Sequence, residues 1–140
     1  MTCGGGVRNV ATGMPRPADT IAALATPTGT SALAIVRVSG PDTRTAVAGI
    51  AGAVPPARRA RHAGYRGRDG GLIDDVVLTF FEGPRSFTGE DSLEISCHGN
   101  PFVAQKILED LLLRGCHAAG PGEFTQRAFL NGRMDLSQAE

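Results

Sequence analysis

Residues 84–101, PRSFTGEDSLEISCHGNP, set a turn, a polar loop, a short strand and a helix start between two apolar segments. Pro84, Arg85 and Ser86 carry turn chemistry, and Thr88, Gly89, Glu90 and Asp91 make a loop. Leu93, Ile95 and Cys97 then alternate with Ser92, Glu94 and Ser96, which predicts a strand over 92–97 with one apolar side. Asn100 suits an N-cap and Pro101 the first helical position. The segment therefore imposes the order loop, strand, helix on the centre of the fold. It also turns Glu94 away from Leu93 and Ile95. A carboxylate at mid-strand is either solvated on an open sheet face or held in a pocket by a partner. Loops on a rigid scaffold are a common place for binding groups.

The flanking sequence supplies partners for that strand. Residues 20–25 and 32–38 read as strands, separated by turn residues at 26–31 that include Pro27 and Gly29. Arg37 interrupts the second run, either as an outward residue on a half-exposed strand or as a rigidly held guanidinium that recognises an anion or amide. Ser39, Gly40, Pro41 and Asp42 open a helix with Ala46, Val47 and Ile50 as its apolar stripe; Gly49 and Gly52 weaken and end it. A strand is expected over 62–66 and a central one over Leu72–Phe81, rich in β-branched and aromatic residues. Asp74 and Asp75 read as strand-entry residues, because adjacent side chains on a strand diverge. After Pro101 the stripe Val103, Ile107, Leu108, Leu111 and Leu112 predicts a helix packed on the sheet and closed by Gly115. Residues 116–119 suggest a short strand. Glu123 starts a last helix with Phe124, Ala128, Phe129 and Leu130 on one side, stopped by Asn131 and Gly132. The expected fold is α+β, with a mixed or antiparallel sheet packed by helices.

Composition narrows the function classes. A chain of 140 residues is expected to form one domain. Its 14 basic and 14 acidic residues balance, so no global field pulls it toward nucleic acid or an anionic membrane. No apolar run is long enough to span a bilayer, so no membrane association is expected. Cys3, Cys97 and Cys116 form no C-x-x-C pair, which fits a reducing cytoplasm. Metal binding at Cys97-His98 and Cys116-His117 is not expected, because ligand spacing of two to four residues is missing. The triple glycine at 4–6 belongs to no G-x-x-x-x-G-K-[ST] motif, and residues 1–18 read as a disordered lead-in. The basic stretch 58–68 around Tyr65 reads either as an RNA-phosphate patch with a stacking aromatic or as a connection plus strand with outward bases, and the second is preferred. Ser137-Gln138-Ala139-Glu140 forms a capping box, the expected first turn of a further helix.

Three blocks in order, ATPTGTSALAIVRVSG (25–40), GPRSFTGEDSLEISCHGNP (83–101) and PGEFTQRAFLNGRMDLSQAE (121–140), resemble the N-terminal domain of the MnmE (TrmE) family. Those proteins are tRNA-modification GTPases that act on the wobble uridine. The resemblance runs from about Asp19 to the end and is poor over 52–71. It implies a module at 19–136 similar to the tetrahydrofolate-binding domain of aminomethyltransferases, followed at 137–140 by the start of a truncated helical domain. It further implies a homodimer that binds 5-formyltetrahydrofolate or methylenetetrahydrofolate near the dimer interface, in a cytoplasmic protein. The folate contacts carry over to Arg37, Glu94 and Arg133. Many relatives have Lys at the last position, and Arg133 keeps the charge with a different geometry. Arg85, Glu90, Asp91 and Phe124 are further candidates for shaping the pocket.

The pterin ring offers a 2-amino-4-oxo edge from which a carboxylate such as Glu94 accepts two hydrogen bonds. The GTPase domain, with its GTP, potassium and magnesium, is expected only in the full-length protein, as are the partner MnmG and tRNA. The chain alone is therefore expected not to hydrolyse GTP. Two alternatives remain at this point: a free-standing one-carbon transferase, and a dimerisation scaffold without ligand in which Arg37 and Glu94 are solvated or mutually paired.

Overall fold

The computed structural model describes residues 19–26 and 32–133. The lead-in over 1–18, the turn residues 27–31 and the capping box at 137–140 lie outside the described residues. In chain order the elements are β1 (Ile21–Leu24), β2 (Leu33–Ser39), α1 (Thr43–Ala51), β3 (Arg61–Arg66), β4 (Leu72–Phe81), β5 (Ser92–His98), α2 (Pro101–Leu113), β6 (His117–Ala118) and α3 (Glu123–Leu130). They form an α+β fold around a six-stranded sheet of order β3-β4-β5-β2-β1-β6. Neighbouring strands are antiparallel except β1 with β6, which run parallel.

Alternation decides which side of the sheet is core. Val36 and Val38 of β2, Leu78 and Phe80 of β4, and Leu93 and Ile95 of β5 share one face and are fully buried. Val47 and Ile50 of α1 and Ile107 and Leu111 of α2 join the same cluster, so both helices pack on that face. Each such side chain contributes about 1.5–3 kcal/mol on burial. The residues between them, Ile35, Arg37, Val77, Thr79, Glu94 and Ser96, point to the opposite face, which remains partly open.

Helix ends follow local chemistry with one difference from expectation. Asn100 caps α2 by accepting from the Phe102 N–H at 2.8 Å, and Pro101 occupies the first helical position. In α1, by contrast, Pro41 stands outside the helix and Asp42 caps without a side-chain bond. The Asp42 N–H is instead taken by Thr20 Oγ1 at 2.8 Å, which ties the helix entrance to β1.

The stripe expected for α2 largely holds, with Ile107 and Leu111 buried and Val103 and Leu108 packed against the core, whereas that of α3 is rotated. α2 buries Ala104, Ile107, Asp110 and Leu111, leaving Leu112 exposed. Asp110 is drawn inward because Tyr65 Oη and Arg114 Nε both donate to its Oδ2 at 2.7 Å. α3 buries Arg127 with Ala128 and exposes Phe129 and Leu130. Its inward face answers carboxylates rather than an apolar floor.

Asp74 and Asp75 diverge as expected, but Asp74 does more than enter a strand. Its carboxylate accepts the His98 backbone N–H at 2.9 Å and lies 2.8 Å from His98 Nδ1, locking β4 to the end of β5. Burial, followed by the Asp74 carboxylate, pushes the Cys97 thiol above its ordinary range, which keeps it neutral.

Candidate functional site

The antiparallel register places Arg37 of β2 opposite Glu94 of β5, with Ala23 and Thr79 extending the row across four strands. Arg37 Nη2 donates to Glu94 Oε2 at 3.1 Å. The two side chains are 28% and 32% exposed, so the pair is accessible without being loose. Phe87 from the loop before β5 and Phe124 from the first turn of α3 bracket the guanidinium, with ring centroids 5.6 and 5.8 Å from its carbon. Cation–π contacts at such positions contribute about 0.5–1 kcal/mol each. Arg37 Nε is buried and makes no hydrogen bond among the described residues.

What holds Phe87 and Phe124 in place is a buried polar knot below them. Ser39 Oγ donates to Glu90 Oε1 at 2.7 Å and lies 2.7 Å from Thr88 Oγ1. Arg127 Nη1 lies 3.2 Å from both Glu90 oxygens and 2.6 Å from the Asp19 carbonyl, while its Nη2 reaches Glu123 Oε2 at 3.1 Å. One guanidinium thus joins the Thr88–Glu90 loop, the entry to β1 and the start of α3. Arg127 was not a candidate in the sequence, where a lone base in a helix reads as a solvated face. Two acids, Glu90 and Glu123, that face buried elements are the signal that a counter-charge is needed.

The other candidates fall in different places. Arg133 donates from Nε to the Ser86 carbonyl at 3.1 Å and packs along Gly89, so it braces the loop that carries Phe87. Glu90 belongs to the knot. Asp91 accepts the Gly83 N–H and Arg44 Nε, a structural tie between loop and α1. Arg85 borders a separate depression of about 280 Å³ with Arg58 and Glu82. Tyr65, the supposed stacking aromatic, is fully buried and donates to Asp110, so that role is excluded. A larger depression, about 690 Å³, lies at the β3 edge rather than at Arg37. Among the described residues, the Arg37–Glu94 row is a platform with two aromatic rings beside it.

A family model described as "GTP-binding protein TrmE N-terminus" matches residues 20–133, which spans the platform and, apart from Asp19, its supporting knot. The chain belongs to the TrmE N-terminal family. Among its relatives, proteins named tRNA modification GTPase MnmE from Opitutus terrae and Chloroflexus aurantiacus are 65% and 51% identical over 91% and 87% of the chain. One of the same name from Nitrosococcus oceani is 48% identical over 89%. The chain spans 28%, 28% and 27% of their respective lengths. This TrmE N-terminal chain is thus similar to one part of those GTPases. No helix among its described residues is long and apolar enough to cross a membrane.

Proposed function

We propose that this chain is the tetrahydrofolate-binding and homodimerisation module of a cytoplasmic GTPase that modifies the wobble uridine of tRNA. The Arg37–Glu94 platform between Phe87 and Phe124 carries the reading. Glu94 accepts the N–H edge of a flat 2-amino-4-oxo pterin, and Arg37 faces its carbonyl or formyl oxygen. The buried Arg37 Nε without a partner among the described residues calls for an explanation, and an acceptor brought by a ligand supplies one. Arg133 serves by bracing the Phe87 loop and presenting a charge beside it. The bound folate supplies the one-carbon unit; the protein's own groups bind and orient it.

The same face supports the dimerisation part of this reading. Leu33 and Val77 are 60% and 37% exposed on the open side of the sheet. A second copy seated there covers them and gives the platform a further wall. GTP, potassium, magnesium, MnmG and tRNA belong in this reading to the whole protein.

The deciding experiment is a titration of the purified chain with 5-formyltetrahydrofolate, run beside Glu94→Ala and with sedimentation mass recorded in the same buffer. Saturable binding by a dimer, lost in the variant, supports the module and its anchor. A folded dimer that binds nothing sinks the folate assignment and favours the scaffold, in which Arg37 and Glu94 merely pair.

A further inference from the structure

We propose that the β3 edge is a docking surface for the phosphodiester backbone of a nucleic acid, centred on Arg66, Arg68 and Arg114. The inference is independent of the folate reading and concerns the opposite end of the sheet from β1 and β6.

A groove of about 690 Å³ opens between the end of α1 and β3, and its lining includes Gly49, Gly52 and Gly64 beside those three arginines. Glycine is what lets the charges sit low. A Cβ at Gly49 would come within 2.5 Å of Arg114 Nη1, so the guanidinium lies directly against the helix backbone. Backbone carbonyls hold the heads: Arg114 Nη2 donates to Arg66 O at 2.7 Å, Arg66 Nη1 to Gly70 O at 3.2 Å and Arg68 Nη1 to Leu113 O at 3.2 Å. A guanidinium has five N–H donors, so each keeps donors for a ligand.

Charge balance is uneven here: Arg114 is paired with Asp110, and its neighbours in the groove are not paired among the described residues. Arg37, Arg44 and Arg127 each pair with carboxylates. Arg66 and Arg68 form no ion pair among the described residues, nor do Arg58, Arg59 and Arg61 just upstream. Asp110 faces Arg114 and Tyr65, and Asp69, at the rim, accepts the Gly71 N–H. A chain neutral overall has therefore gathered uncompensated guanidinium groups in and beside β3.

Arg66 and Arg68 both line the groove, close enough in the chain to meet neighbouring phosphates of a strand that carries one per about 3.4 Å of helix axis. Arginine forks match phosphate oxygens two at a time. With Tyr65 buried, the surface offers no ring for base stacking. Binding there reads the backbone and not the sequence.

The test is fluorescence anisotropy of the chain with labelled mixed-sequence RNA and DNA 20-mers from 50 to 300 mM salt. The parent binds at low salt, and Arg66→Ala/Arg68→Ala lowers the slope of log K against log salt by about 1.4 and weakens binding roughly 10- to 30-fold near 0.1 M salt. Arg66→Lys/Arg68→Lys retains the parent slope, and unchanged thermal unfolding shows that the Ala variant is folded. Stronger binding to one oligomer assigns the nucleic acid. No binding of either at 50 mM salt, an Ala variant equal to the parent, or displacement by polyglutamate as effective as by unlabelled RNA overturns the proposal.

Discussion

Arg127 Nη1 lies 3.2 Å from each carboxylate oxygen of Glu90, across a sequence separation of 37 residues. With its side chain only 4% exposed, Arg127 is, among the described residues, the single cation paired with both Glu90 and Glu123 in the knot under the platform. Removing one partner of a buried ionic group leaves the other uncompensated, at a cost of about 3–5 kcal/mol. Arg127→Met keeps the stem and deletes the charge, so urea unfolding is expected to show a loss of that size. Glu90→Gln keeps an acceptor and is expected to lose less, about 1–3 kcal/mol. A loss under about 1 kcal/mol for Arg127→Met would mean that the knot does not clamp α3.

Arg37 and Glu94 are expected to behave in the reverse way. Their pair is about a third exposed on each side, and ion pairs of this kind contribute about 0–1 kcal/mol. Arg37→Ala and Glu94→Ala should therefore shift thermal unfolding little. In the proposed site the same changes weaken tetrahydrofolate binding about 30- to 150-fold, the equivalent of a charged contact worth 2–3 kcal/mol. Unfolding and titration on the same samples check both halves. A large stability loss without a binding change would make the pair structural.

Much of the fold was legible because alternation and capping are local. β4 has the bounds its apolar run predicts, α2 starts at the cap that Asn100 and Pro101 announce, and Glu94 faces away from Leu93. Register is not local, so nothing in the sequence set Arg37 opposite Glu94 or Asp74 against His98. The stripes missed Asp110 in α2 and Arg127 in α3 for one shared reason. Asp110 and Arg127 are buried by partners far along the chain, and periodicity assigns charged residues to water. The loop residues Glu90 and Asp91, candidates for shaping a pocket, hold the scaffold together through contacts that no local pattern announces.

Gly40 separates steric from conformational cost. Its φ is +141°, and a Cβ there would stand 2.5 Å from Thr20 Cα and 3.0 Å from the Asp19 carbonyl oxygen. Backbone cannot step aside as a side-chain tip can, so Gly40→Ala is expected to lose more than about 3 kcal/mol. Gly52 ends α1 at φ +88° with nothing within 4 Å of the added carbon. Gly52→Ala should cost only the left-handed penalty, about 1–2 kcal/mol. Urea midpoints of the two variants give the difference, and equal losses would remove the close contact with Thr20 as the reason for glycine at 40.

Tyr65 is the only tyrosine in the chain and makes alkaline unfolding readable. Burial first, then its hydrogen bond to Asp110 and that carboxylate's charge, raise the phenol well above its usual value near 10. Cys97 is raised as well, again by burial first. For both groups the folded state holds its proton at a pH where the unfolded chain has released it. Above the unfolded pKa the native state therefore binds more protons, and stability falls as pH rises. Stability is expected to be unaffected by these two groups below about pH 8, then to decline by up to about 1.4 kcal/mol per pH unit for each group above its unfolded pKa. Phenolate absorbance should appear together with unfolding and not before it. Tyr65→Phe should be less stable at pH 7, having lost a buried bond to Asp110, and should show a shallower alkaline decline. Phenolate absorbance rising near pH 10 in a chain whose far-ultraviolet circular dichroism stays native would show that the Tyr65–Asp110 bond does not hold the proton.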